Sequence, residues 1–299
     1  MNGFFNIWKP AGMSSAAVVA VMRRLTGEKR TGHAGTLDPE AAGVLPIMTG
    51  KAARLFDYLV DKEKEYEAVC AFGTSTDTQD FTGTVLETGD RYPDLNMVRE
   101  KAKALTGEIR QKPSAYSAIK VGGQPLYVRA RKGETVDVPE RIVMIHSIEV
   151  FGEEPDHGVK LKVRCGKGTY IRTLCDDLGK KCGCPAHMRS LLRTRSGVFT
   201  LDTALTLDDA RALAAEGKLA DRMLMPDFPL GHLQMVDVPA RYAKQVAAGA
   251  KIPVDFLGEM LPAETENLRV YLEGAFWGIV HRDGDMLVWK AQIAPEVSG

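Results

Sequence analysis

The segment GHAGTLDPEAAGVLP, residues 32–46, sets a single aspartate, Asp38, among three glycines and two prolines. Proline at 39 pushes Asp38 out of the right-handed helical region, and Gly32 and Gly35 permit backbone angles or close approaches closed to other residues. A loop so built can hold one side chain in fixed geometry against a large ligand. A helix start is the alternative: Asp38 as N-cap, Pro39 at the first helical position, Glu40 in the first turn. Gly43 and Pro46 would end such a helix after little more than a turn, leaving the cap almost nothing to protect.

Two other side chains could act with Asp38. Arg172 follows GKGTY and falls in the first turn of a helix expected over Tyr170–Leu178 and closed by Gly179. A positive charge there opposes the helix dipole at some ~0.3–1 kcal/mol, so a compensating carboxylate is expected from elsewhere in the fold. An Arg fork is suited to fixing a carboxylate in its ionised form; a guanidinium that merely snorkels into water is the plainer reading. Tyr66 shares a strand face with Ala68, Cys70 and Phe72 and reads first as a core aromatic. A tyrosine near a strand end can also stack on a base while its hydroxyl finds a polar partner.

Other constellations carry less. Gly50-Lys51 lacks the partners of a phosphate loop, with Leu at 45 and Ala at 52, and no dinucleotide glycine fingerprint follows a strand, so no nucleotide cofactor is implied. Cys175, Cys182, Cys184 and His187 suggest zinc, but the Cys-Gly-Cys spacing is tighter than usual structural pairs and Cys175 sits on an apolar stripe with Ile171, Leu174 and Leu178. Buried thiols without metal are the expectation.

The elements that must position these residues follow from periodicity. SSAAVVAVMRRLTG puts Val18, Val19, Met22 and Leu25 on one helical stripe, with serines ahead and Gly27 behind. KEYEAVCAF and GVKLKVRC alternate with period two and read as strands. Further helices are expected over Lys51–Val60, Asn96–Leu105 and Leu207–Ala215. The interleaving lacks a steady βαβ rhythm and points to an α+β fold with a central mixed, largely antiparallel sheet flanked by helices. Composition shifts after DRMLMPDFPLGHL, dividing a large domain, residues 1–232, from a small β-rich C-terminal module, residues 236–299, with a hairpin expected at Asp283-Gly284.

The 299 residues balance 39 basic against 39 acidic side chains, which excludes a uniformly cationic shell for indiscriminate nucleic-acid binding. Local charge is another matter. VKLKVRCGKGTYIRTLCDDLGKKCGCPAHMRSLLRTRSG carries ten Lys or Arg against two Asp. Its Lys162, Arg164, Lys167, Arg189 and Arg193, together with Lys120, Arg129, Arg131 and Lys132 upstream, are expected to line a phosphate-contacting groove. No secretory signal or long apolar run is evident, and five cysteines suit reduced thiols, so a cytoplasmic protein is expected.

GHAGTLDPEAAGVLPIMTGKAAR closely resembles the signature segment of the TruB family of tRNA pseudouridine synthases. WKPAGMSS, KEYEAVCAFGTSTDTQD, KPSAYSAIKVGGQPLYVRARKG and CGKGTYIRTLCDDLG match in the same order, spanning nearly all of residues 1–197. The resemblance implies a pseudouridine-synthase fold followed by a PUA-like RNA-binding module. It implies isomerisation of uridine 55 in the tRNA T-loop, with no cofactor, no metal and no required protein partner or membrane. Asp38 matches the catalytic aspartate, Tyr66 the aromatic packed on the target base, and Arg172 the partner of the aspartate. His33 matches the histidine inserted where the flipped uridine was, and Lys9 with Pro10 the Lys-Pro segment beside the site. Two other classes stay open on the residues alone: an RNA-binding or RNA-folding protein without catalysis, and a glycosidic hydrolase pairing Asp38 with Glu40.

Overall fold

The structure is a computed structural model that describes residues 1–60, 62–117, 119–121, 123–130, 132–134, 138–257 and 265–295. Alternation of apolar and polar residues sets its centre. Lys64–Phe72 and Gly158–Cys165 form strands with the bounds their period-two patterns predict, paired antiparallel with Tyr66 opposite Val163. One face of this pair buries Ala68, Cys70, Leu161 and Val163 against Leu174, Cys175 and Leu178 of helix Ile171–Cys182. Burial of each large apolar side chain contributes roughly 1.5–3 kcal/mol and holds the helix to the sheet.

The full sheet runs in the order Gly3–Lys9, Ala42–Thr49, Ala186–Ser196, Lys64–Phe72, Gly158–Cys165, Arg141–Glu154, Gly107–Gln111, with Thr31–His33 and Phe199–Thr200 as short additions. Its ladders are antiparallel except one: Ala42–Thr49 meets Ala186–Ser196 in parallel, over only Leu192 with Ala42 and Arg193 with Gly43. The mixed, largely antiparallel sheet expected from the sequence is therefore present. The Asp38 turn empties into this brief parallel contact.

Helix Ser15–Thr26 forms as its stripe predicts, with Ser14 accepting the Ala17 N–H and Gly27 closing it at φ 67°. Val18 and Met22 pack on Phe5, Ile7, Leu45 and Ile47 together with helix Leu207–Ala215. Two expected helices differ. Lys51–Val60 is a 3-10 turn over Gly50–Leu55 followed by one α-helical stretch, Phe56–Val60. Helix Ile171–Cys182 runs past Gly179 and stops at Gly183, where φ is 69°. Gly179 stays inside because a Cβ there would lie 2.6 Å from the Ala186 Cβ and 2.7 Å from the Cys184 carbonyl oxygen. Glycine here serves close packing rather than helix termination.

A second sheet, ordered Met235–Asp237, Leu268–Leu272, Ala275–Asp283, Met286–Gln292, Ile252–Pro253, follows in the chain and includes the expected hairpin, with Asp283 opposite Met286. It packs on the large sheet through Phe276, Ile279, Ala291 and Ile293 against Phe4 and Leu55. No described helix is long and apolar enough to cross a membrane.

Candidate active site

The Asp38 segment forms a turn instead of a helix: the Ala41 N–H donates to the Asp38 carbonyl at 3.1 Å, and the next strand begins at Ala42. Buried loops leave backbone carbonyls facing inward, and these need donors. Two cations supply them. Lys9 Nζ donates to the Pro39 carbonyl at 2.9 Å and to that of Pro10 at 2.8 Å. Arg193 donates through Nε to Val44 at 2.7 Å, through Nη2 to Gly35 at 3.1 Å and through Nη1 to Thr36 at 3.4 Å. Gly43 must be glycine, since its φ is 111° and a Cβ would fall 2.3 Å from the Arg193 carbonyl oxygen. Ahead of the turn, Ser15 Oγ donates to the Leu37 carbonyl at 3.0 Å and accepts the Leu37 N–H at 2.9 Å.

These contacts correct the reading of Lys9 and Arg193 as RNA-contacting cations: they are 0% and 1% exposed and their donors go to backbone carbonyls, so they hold the Asp38 turn. A sequence shows that a cation is present, whereas its burial depends on where inward-facing carbonyls gather. Burial pushes the Lys9 amine down to about 8, against the pull of Glu40 and Asp38.

Arg172 meets not one carboxylate but two. Its Nε lies 3.0 Å from Asp38 Oδ2, and Nη2 donates to Asp38 Oδ1 at 3.4 Å. On the other side Nη1 donates to Asp80 Oδ2 at 3.2 Å and to the Thr78 carbonyl at 3.0 Å, while Nη2 also donates to the Tyr116 carbonyl at 3.3 Å. Asp80 Oδ1 is meanwhile occupied by the Thr82 N–H and by the hydroxyls of Thr78 and Thr82. The side chains of Arg172 and Asp80 are 7% and 12% exposed, that of Asp38 37%. The buried aspartate thus fixes the guanidinium from behind, and the guanidinium orients the accessible one. Sequence reasoning missed Asp80; its signal was the Thr-rich segment TSTDTQD, whose hydroxyls can lock a carboxylate but do not reveal which arginine it faces.

A cavity of about 370 Å³ opens over this pair, lined by Gly35–Asp38, Lys64, Tyr66, Arg141, Gly166–Arg172, Leu191 and Arg193, with Ile119. Tyr66 is both core aromatic and cavity wall. Burial raises its phenol above the ordinary value, with Arg193 opposing, so the hydroxyl stays protonated near neutral pH. His33 lies on strand Thr31–His33 with a buried Nδ1 that has no partner among the described residues, and burial followed by Arg193 lowers its pKa.

The remaining basic residues divide. Lys167 lines the cavity, as do Lys64 and Arg141, which sequence reasoning did not assign. Lys162 and Arg164 lie 3.4 Å from Glu65 and 3.2 Å from Glu63, because strand Lys64–Phe72 runs alongside with glutamates on its outer face. Arg189 donates to the carbonyls of Pro155 and Asp156, and Arg129 to Glu134. Lys132 is exposed; Arg131 and the side chain of Lys120 lie outside the described residues. Cys70, Cys165 and Cys175 are buried in the core, and His187 Nδ1 lies 2.9 Å from the Thr74 carbonyl oxygen.

Residues 23–171 match the model of the TruB family pseudouridylate synthase N-terminal domain, and residues 172–227 that of the tRNA pseudouridylate synthase B C-terminal domain. The tRNA pseudouridine synthase B of Alkaliphilus oremlandii is 41% identical over 286 residues, covering 95% of this chain and 94% of its own. The chain belongs to the TruB family. The corresponding protein of Bacillus subtilis is 40% identical over 256 residues, 84% of this chain and 83% of its own. Among solved structures, a Cbf5-Nop10-Gar1 complex superposes with a TM-score of 0.69 at 25% identity over 95% of this chain and 79% of that chain. An H/ACA RNP bound to a substrate RNA containing 2'-deoxyuridine superposes at 0.73 and 23% identity, over 98% and 86%, which shows the shared pseudouridine-synthase fold.

Proposed function

We propose that this enzyme isomerises uridine 55 of the tRNA T-loop by a cofactor-free reaction in which Asp38 acts on the ribose of an extruded nucleotide. That it is a tRNA pseudouridine synthase, an isomerase acting on uridine in RNA, follows from its family. The observation that carries the finer reading is the Asp38 carboxylate, gripped by two nitrogens of Arg172 yet open to a cavity walled by Tyr66.

The reaction breaks N1–C1′ and forms C5–C1′; C5 loses a proton and N1 gains one, with no net redox change. A nucleotide must leave its stack for the ribose to reach Asp38. An ionised carboxylate can then attack C1′ or remove a sugar proton to give a glycal-like intermediate. Arg172 keeps the carboxylate aimed in either case. Tyr66 holds the detached uracil by stacking while it turns. Its hydroxyl is the acceptor, direct or through water, for the C5 proton in the last step. His33 fills the place of the extruded base, Arg141 and Lys167 meet the backbone at the cavity, and the sheet beginning at Met235 serves as the RNA-binding module of residues 236–299. T-loop shape, more than base-by-base readout, selects the substrate.

Asp38→Asn tests the reading. Tritium release from [5-³H]uridine-labelled tRNA should fall by at least about a thousandfold, some 4 kcal/mol of barrier, with tRNA affinity kept. Undiminished release would show that Asp38 does not carry the reaction, no release even by the native chain would support a binding protein without this chemistry, and free uracil would support a hydrolase.

A further inference from the structure

Apart from Asp38, Arg172 donates to three acceptors: the Thr78 carbonyl, the Asp80 carboxylate and the Tyr116 carbonyl. These lie on two loops, residues 77–80 and 114–116, distant in sequence from the helix that carries Arg172. The aim of the guanidinium therefore depends on what registers both loops on that helix, because a small misplacement of reacting groups is costly.

One side chain joins all three pieces. Gln79 Oε1 accepts the Thr173 hydroxyl at 2.7 Å and the Ser114 N–H at 3.1 Å, while Nε2 donates to Asp176 Oδ2 at 3.1 Å. Thr173 directly follows Arg172, and Thr173 and Asp176, at i and i+3, share one helical face. Ser114 carries the link onward: its hydroxyl donates to the Asp77 carbonyl at 2.7 Å and accepts the Tyr116 N–H at 3.2 Å. Gln111 pins the start of the second loop to the Tyr170 backbone, ahead of the helix. Gln79 supplies the later anchor, beside Tyr116.

The main chain of Gln79 is held as well. Its N–H donates to the Thr76 carbonyl at 3.1 Å, and its carbonyl accepts the Met188 N–H at 3.0 Å. Its φ is 64°, a left-handed conformation that glycine adopts freely and glutamine rarely. In this bend consecutive residues meet the same helix, Gln79 at Thr173 and Asp176, Asp80 at Arg172. Strain kept where glycine would incur none points to a task for the side chain.

We propose that Gln79 is a positioning residue for the reaction: it registers both loops on the helix, so that Arg172 holds Asp38 at the angle the ribose requires. The inference rests on Asp38 and Arg172 being the reactive pair. Gln79 does not line the cavity and acts through the guanidinium.

Single-turnover pseudouridine formation on labelled tRNA, with the full chain in excess, tests this. The amplitude then reports the folded fraction and the rate constant reports the site, so a merely structural loss would leave the rate constant unmoved. Gln79→Met keeps the length and removes all three hydrogen bonds; its rate constant should fall at least about tenfold, with the tRNA dissociation constant within about twofold of native. Thr173→Val should slow the native enzyme and leave Gln79→Met unchanged, since the acceptor of that hydroxyl is already gone. If Gln79→Met fails to fold, Gln79→Gly, whose backbone takes this conformation freely, is put through the same comparison. A smaller fall, a fall traced to tRNA affinity, or equal effects of Thr173→Val in both backgrounds overturns the proposal. Asp38→Asn is run alongside: a native rate there would sink the reading of the reactive pair, whereas its loss with Gln79→Met unimpaired would sink only the role of Gln79.

Discussion

Two sets of cations in this molecule sit in opposite surroundings. Beneath the Asp38 turn, Lys9, Arg172 and Arg193 are each 6% exposed or less and spend their donors on carbonyls and carboxylates. On the outer face of the sheet, Lys160, Lys162 and Arg164 face water and pair with Glu154, Glu65 and Glu63. The first set fixes geometry, because removing a buried donor strands its acceptors. The second is screened by solvent and salt, and each pair contributes at most about 1 kcal/mol.

The largest effect expected is from Arg193→Met, which leaves the carbonyls of Gly35, Thr36 and Val44 without their buried donor. Each such loss costs about 1–3 kcal/mol, so urea denaturation should show at least about 3 kcal/mol of destabilisation, and pseudouridine formation should fall as Asp38 loses its frame. Lys9→Met should cost about 1–3 kcal/mol at neutral pH for the same reason. It carries a further signature. The folded Lys9 amine is pushed down to about 8, so the unfolded chain binds more protons between there and the ordinary lysine range. Native stability should therefore rise as pH climbs from about 8 through that window, and Lys9→Met should lack the rise. The lowered His33 adds a smaller slope on the acid side: its neutral ring is favoured by the fold, so stability is lost as pH falls below the ordinary histidine value, and His33→Gln should flatten that limb. Arg164→Gln should change stability by less than about 1 kcal/mol, and less still in high salt. A cost there equal to that of Arg193→Met would erase the distinction between the two sets.

The same contrast explains what was legible in the sequence. Strands Lys64–Phe72 and Gly158–Cys165, helix Leu207–Ala215 and the stripe of Ser15–Thr26 announce themselves because their periodicity is local. The need for a carboxylate at Arg172 was also legible, since its position in the first helical turn is unfavourable alone. The second carboxylate was not: Asp80 lies 92 residues away from Arg172, and no local pattern tells a guanidinium how many acids the fold will bring. Nor could composition separate Arg193 from Arg164. Both stand in basic, alternating segments, and the long-range pairing of Arg193 opposite Tyr66 and Gly43 is what places one of them inward. Gly179 and Gly183 present the same ambiguity, resolved by the Ala186 side chain that crowds the first.

The paired hydrogen bonds between Ser15 and Leu37 carry a consequence for motion. A hydroxyl that both gives and takes at one residue imitates a rung of sheet, so the residue preceding Asp38 is tied to the first helix as if it belonged to a strand. Its amide should resist deuterium exchange as long as those of the interior ladders do. The Asp38 loop is therefore already set before anything enters the cavity beside it.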